Sequence, residues 1–369
     1  MAKVLVGDIM NAIEAFAPLS YQESYDNSGL QVGNINDEVR AVLLTLDVTE
    51  EVLEEALKLG ANMIVAHHPL LFSGLKRISG NNYVERIVYK AIKNDIIIYA
   101  AHTNLDNVRA GVNAKIAEKL GLIDTSILAP MADNLRKLYT YVPLNALDIV
   151  RDALFTTGAG QIGKYSECSF NTHGEGSFRA ASNANPAIGQ AGGEREEVAE
   201  IKLEVLFEKH AEGRILKALF NSHPYEEVAY EVIAIQNNNQ DIGAGMVGKL
   251  PKPMDELSFL AYLKQQMKTD CIRHTALLNK NIEKIAICGG SGSFLLKNAI
   301  AVGADVFITG DFKYHQFFDA ENKLVIADIG HYESEQFTVE IFADILNKKF
   351  PNFAVLVSNT STNPVKYYT

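Results

Sequence analysis

Residues 39–68 read VRAVLLTLDVTEEVLEEALKLGANMIVAHH, and the fold class turns on them. The run 39–48 is almost unbroken apolar sequence, as a strand buried on both faces requires. TEEVLEEALKLG (49–60) then changes to a helical period, with acidic residues in its first turn and Gly60 at its C-terminal end. ANMIVA (61–66) returns to a buried strand. Strand, helix, strand at this spacing is the pattern of a parallel βαβ unit. Pro69 cannot continue a ladder, so His67 and His68 sit where the second strand stops. Neighbouring side chains on an extended backbone point to opposite sides. The pair therefore suits two ions, or one ligand and one supporting group; the plainer reading is an inert, hydrogen-bonded loop edge.

Working outward, the rhythm continues with a helix over 83–94, a strand over 95–102 and a helix over 111–121. The last third repeats it. Strands are expected at 282–290, 305–310, 324–330 and 353–361, helices at 293–304 and 314–323, and one long amphipathic helix at 332–350. The middle differs. A strand (137–143), a helix (145–158), extended polar sequence (164–180), a strand (199–209), a helix (211–222) and a strand (226–235) give the order βαββαβ, which is ferredoxin-like. A Gly/Ala/Asn-rich loop spans 181–195, and QNNNQDIGAG (236–245) reads as a linker. The expected organisation is a discontinuous α/β core, 1–132 and 246–369, interrupted by an inserted ferredoxin-like α+β domain, 133–245. The alternative is one larger continuous sheet.

Bulk properties narrow the function. The 369 residues allow two to three domains. With 34 basic and 45 acidic residues the net charge is −11, which disfavours nucleic acid as a partner. Three widely spaced cysteines, Cys168, Cys271 and Cys288, fit a reducing compartment and supply no thiolate zinc site. Asp8 and Glu14 interrupt the N-terminal apolar pattern, so it does not read as a signal peptide, and no apolar run approaches the roughly 20 residues of a membrane span. A cytoplasmic protein with no membrane partner is expected.

In an open α/β sheet, ligands bind outside the carboxyl ends of the strands. Those ends carry His67 and His68, then His102 and Asp106 in AHTNLD, then Asp311 after VFITG, then His331 and Glu335 in GHYESE. Four strand ends thus bring histidines or carboxylates to one edge of one sheet. His331 and Glu335, four apart at a helix start, share a face. Imidazole and carboxylate without thiolate suit zinc, iron or manganese. Three histidines and two carboxylates, His67, His68, Asp106, His331 and Glu335, suffice for two divalent ions that share a carboxylate and keep positions open. His102 and His315 are placed to orient the ligands; the plain reading of His315 is a satisfied histidine near a helix start. With Asp311 they are the candidates for moving a proton, beside Glu335 between the ions. CGGSGS (288–293) lacks the lysine of a phosphate loop and reads as a tight turn against the site, with phosphate contact as the alternative. His223 and Glu226 read as structural.

The motifs DNSGLQVG (26–33), AHHPLLF (66–72), HTNLD (102–106), ITGDFKYH (308–315) and DIGHYESE (328–335) together resemble the Nif-three-like dinuclear metal-centre family. Bacterial members are often labelled GTP cyclohydrolase 1 type 2. The resemblance implies an α/β core, a toroidal homohexamer and two metal ions per subunit, with ligands at His67, His68, Asp106, His331 and Glu335. It also implies that the insert, with its HPYEE, is a PII/CutA-like domain. Tyr25 stands where related chains often carry Trp, a packing variation. Two functions follow as expectations. One is a metal-dependent hydrolase of a small molecule, with GTP cyclohydrolase-type activity implied by the family label alone. The other is a non-enzymatic metal- or ligand-sensing protein acting through the insert.

Overall fold

The strand Ala41–Thr45, buried at every position, lies at the heart of a five-stranded sheet. Its order is Ala354–Val357, Ala41–Thr45, Met63–Ala66, Ile97–Ala100 and Gly29–Val32. The first four run parallel, with Val42 opposite Met63 and Met63 opposite Ile97, and Gly29–Val32 is antiparallel. The computed structural model that gives this arrangement describes residues 3–368. The connecting helix Glu50–Leu59 starts where the Thr49 hydroxyl accepts from the Val52 N–H, and stops at Gly60 with φ +73°. Both are the terminators that chemistry favours: a hydroxyl for an orphan N–H, and a residue without Cβ for the left-handed turn. Leu53, Ala56, Ile64 and Ile98 pack between this helix, the helix Tyr83–Lys93 and the sheet.

A second sheet has six strands in the order Arg273–His274, Val325–Asp328, Val306–Gly310, Asn281–Ser291, Asn239–Asp255 and Ile123–Met131. Asn281–Ser291, Val306–Gly310 and Val325–Asp328 are parallel. The strand ends expected on one sheet therefore belong to two. Residues 236–245 are likewise not a linker, because a strand begins at Asn239. A Cβ on Gly243 would lie 2.2 Å from the Ala129 carbonyl oxygen, so glycine lets this strand close onto its neighbour. Backbone, not side-chain hydrophobicity, holds the segment, which is why its polar composition misleads. The expected helix 332–350 is two, His331–Glu335 and Thr338–Lys349, interrupted where the Gln336 amide donates to the Met267 and Glu333 carbonyl oxygens. Residues 314–320 form a 3-10 helix, and α-helix in 293–304 is confined to Leu296–Ala301.

The chain divides into two compact units, Met1–Pro130 with Asp241–Thr369, and Met131–Gln240. In the second, strands Leu135–Pro143, Ser169–Phe178, Glu196–Glu208 and Tyr230–Ala234 pair antiparallel in the spatial order fourth, first, third, second. With helices Leu147–Thr156 and Glu212–Ser222 this is the ferredoxin-like arrangement. Burial alternates along Leu135–Pro143, and Leu138, Val142, Leu203 and Val205 meet Leu154 and Leu219 on the covered face. Among the described residues no helix is long and apolar enough to cross a membrane.

Candidate metal centre

In the first unit, the ends of Met63–Ala66, Ile97–Ala100, Val306–Gly310 and Val325–Asp328 surround one cavity of about 880 Å³. Glu335, with its side chain 2% exposed, is the central group. Its Oε1 lies 3.7 Å from His67 Nε2, while its Oε2 lies 3.0 Å from His68 Nε2 and 3.1 Å from His331 Nε2. Asp106 Oδ1 stands 3.6 Å from His67 Nε2. Two groups of potential ligands result, His67–Asp106–Glu335 and His68–His331–Glu335, each with its donor atoms within 4.8 Å of one another. A third, His67–His68–His102, meets the same limit.

Each imidazole is held through Nδ1. His67 Nδ1 donates to the Ala101 carbonyl at 2.9 Å, His68 Nδ1 to Asp47 at 2.7 Å, His102 Nδ1 to Asp26 at 2.9 Å and His331 Nδ1 to Asp311 at 2.7 Å. A carbonyl or ionised carboxylate only accepts, so each Nδ1 carries the proton and Nε2 is the atom left for another partner. Local backbone makes this possible. Gly330, at φ +94°, opens the short helix that carries His331 and Glu335 one turn apart. Asp311 itself takes φ +59°, a conformation uncommon outside glycine, directly beside His331. Asp26 also accepts from the Thr103 N–H at 3.0 Å, from the Thr103 hydroxyl and from the Ser28 hydroxyl, which fixes it under His102.

Electrostatics define what the cluster lacks. Burial holds the His67 pKa below its ordinary value, against the pull of Glu335. Its Nε2 therefore presents a lone pair, yet neither it nor Asp106 Oδ1 has a hydrogen-bond partner, and both are buried. Two such groups facing one another in a dry site are unfavourable unless a proton or a cation joins them. Burial raises Asp106 well above the usual carboxylate range, and Glu335 adds to it. Glu335 is held well below that range: burial opposes its charge, but His67 and His331 outweigh burial. Burial likewise disfavours charge on His68 and His331, but Asp47, Asp311 and Glu335 raise them to about 10 and about 11. His68 Nε2 and His331 Nε2 are 3.2 Å apart. Two imidazolium N–H groups at that distance repel, whereas two neutral nitrogens suit a shared cation.

Of the residues expected at the site, His67, His68, His102, Asp106, Asp311, His331 and Glu335 come together. His315 does not: it is exposed, packs on Tyr314 and Phe318, and is absent from the cavity wall. CGGSGS is not the expected turn: through Ser291 it is the irregular end of the strand Asn281–Ser291, lying against the site, and three of its N–H groups are taken. Gly289 donates to Asn113, Gly290 to the Ser334 hydroxyl and Gly292 to the Thr309 hydroxyl, so they offer nothing to a phosphate. Asp47 was not legible as a partner, although it too follows a strand. Nor was Thr362, whose hydroxyl donates to Asp47 at 2.5 Å.

Known proteins resemble this chain in sequence and fold. A Bacillus subtilis protein named GTP cyclohydrolase 1 type 2 homolog is 39% identical over 374 residues, covering 100% of both chains. A solved Bacillus cereus protein, described as related to NIF3, superposes with a TM-score of 0.87 at 38% identity, again over 100% of both chains. A solved Staphylococcus aureus protein does so with a TM-score of 0.79 at 31% identity and the same full coverage. Residues 4–364 match the description Duf34/NIF3 (NGG1p interacting factor 3). Sequence, fold and the cluster of potential metal ligands agree: this chain belongs to the Duf34/NIF3 family.

Proposed function

We propose that the chain holds two divalent ions, zinc, iron or manganese, at His67, His68, Asp106, His331 and Glu335, and hydrolyses a small molecule in the cavity above them. One observation carries the reading: the two oxygens of Glu335 face different imidazoles, Oε1 toward His67 and Oε2 toward His68 and His331. The buried, partnerless His67 Nε2 and Asp106 Oδ1 support a donor set fitted to a cation. Ions bound there would acidify a water and polarise a substrate oxygen. The chain's own part is to hold the imidazoles. Asp47, Asp26, Asp311 and the Ala101 carbonyl fix each Nδ1 proton, and Glu335 offsets the charge that would drive two cations apart. His102 and the half-exposed Asp311 are the groups placed to pass a proton at the cavity wall.

The test is elemental analysis of protein prepared without chelator, followed by a panel of nucleotides, cyclic amides and phosphoesters with each metal. GTP belongs in the panel because relatives carry the name GTP cyclohydrolase 1 type 2 homolog. About two ions per chain, with turnover lost on chelation and regained on reloading, supports the reading; fewer than one under metal excess overturns it. A sensing role is favoured by a second cavity, of about 660 Å³, in the inserted unit, walled by Tyr141, Phe178, Ile188, Tyr225 and Glu200. No turnover with any metal, beside saturable binding of a small molecule, selects that reading.

A further inference from the structure

We propose that the cavity over the metal centre takes an uncharged or cationic flat ring compound, of nucleobase or nucleoside size, and rejects polyphosphates. The proposal rests on the two-ion reading for the charge in the cavity, but it concerns binding and not turnover.

Charge is the first argument. The wall carries seven carboxylates: Asp106 and Glu335 at the centre, Asp47 and Asp311 behind the histidines, and Glu23, Asp328 and Glu333 beyond them. It has no lysine, and Arg273 is its one arginine. Two dications offset four of these charges and Arg273 one, which leaves the wall negative. A triphosphate brings about four negative charges into that field, and in a partly closed cavity such repulsion is weakly screened.

The groups that could hold phosphate are in part already committed. Nη2 of the Arg273 guanidinium donates to the Asp328 carboxylate and, at 3.1 Å, to the Phe312 carbonyl, so Arg273 is already paired with a carboxylate of the same wall. The glycine-rich strand end 288–293 has its Gly289, Gly290 and Gly292 N–H groups bound to Asn113, Ser334 and Thr309. Those three N–H groups are therefore not available to an anion.

Aromatic rings take their place. Tyr25, Phe72 and Phe294 line the cavity while 63%, 53% and 64% exposed. Phe72 sets its ring edge-on to His102 at 5.9 Å between centroids, so this apolar rim begins directly beside the centre. Flat rings stack on such side chains whatever their hydrogen-bonding edge. A cation gains further from an aromatic face within an acidic wall. The volume, about 880 Å³, admits a nucleoside with room to spare.

Calorimetry on the full-length, metal-loaded protein tests this with 7-methylguanosine, which is cationic, guanosine, GMP and GTP. Affinity should fall along that series, by at least about ten-fold from guanosine to GTP, and added salt should narrow the gap. Phe294→Ala should weaken guanosine about ten-fold while metal content stays unchanged. GTP binding as tightly as guanosine or tighter overturns the proposal, as does a loaded protein that binds none of the four. Metal content is measured separately on the same samples. A protein that holds no metal therefore fails the two-ion reading, whereas a loaded one with the wrong affinity order fails only the substrate class.

Discussion

Glu335 has to do two things that usually need two residues, because each of its oxygens faces a different set of nitrogens. Glu335→Gln keeps the shape and removes the charge that the two proposed ions would share. Metal content should fall from about two per chain to about one or less, and hydrolysis should fall with it. Elemental analysis with the activity panel checks this; two tightly held ions in the variant would sink the shared-carboxylate arrangement. The carboxylates behind the histidines should matter unequally. Asp47 is 32% exposed and supports His68, while Asp311 is 52% exposed and supports His331. Water screens the more exposed pair, so Asp47→Asn should weaken metal binding by about 10–100-fold and Asp311→Asn by less. Chelator competition ranks the two, and a larger loss at Asp311 contradicts the argument.

At the scale of elements, the strand end 288–293 and the C-terminal segment reach the centre without adding to the proposed ligands. A Cβ on Gly290 would lie 2.3 Å from Glu335 Oε1, and Gly290 sits at φ +62°. Gly303, at φ +69°, has nothing within 4 Å. Gly290→Ala should therefore cost stability and metal, whereas Gly303→Ala should cost only the backbone penalty of about 1–2 kcal/mol. Thermal unfolding with metal analysis separates the two, and equal metal content in both variants removes the claimed steric role. The C-terminal segment is tied to Glu55 by Ser358, Asn359 and Thr360, and to Asp47 by Thr362. Thr362→Val should loosen Asp47 behind His68 and lower metal affinity, by up to about ten-fold, with recovery in Thr362→Ser. Unchanged affinity in the valine variant would remove Thr362 from the site. These cases show what the sequence could disclose. Apolar runs interrupted by His and Asp reveal strands and their ends, since periodicity and Pro69 are local. The contact of Gly290 with Glu335, or of Thr362 with Asp47, depends on segments brought close by packing. The polar start of Asn239–Asp255 hid a strand for the same reason, since its order comes from the neighbouring backbone.

For the whole molecule, the chain leaves and re-enters the first unit through neighbouring strands, Ile123–Met131 and Asn239–Asp255, and Gly243 packs against Ala129 and Pro130. Joining Pro130 to Asp241 through a few residues should give a soluble protein with undiminished metal content. Insoluble or metal-free product at several linker lengths would mean that the inserted unit is needed for the first to fold. Self-assembly, which the family resemblance implies as a homohexamer, is read on the same samples by light scattering. The discontinuity also sets an order in time. His68 and His331 are separated by 263 residues. At roughly 5–20 residues per second, the ribosome needs about 13–53 s to travel from one to the other. For most of that interval the nascent chain displays His67, His68, His102 and Asp106 without the Glu335 carboxylate, to which the two-ion reading assigns the balancing of the cations. A growing chain would thus be a tri-histidine trap for whichever imidazole-binding divalent metal is free, and on the two-ion reading the final pair could be chosen only after Glu335 has emerged.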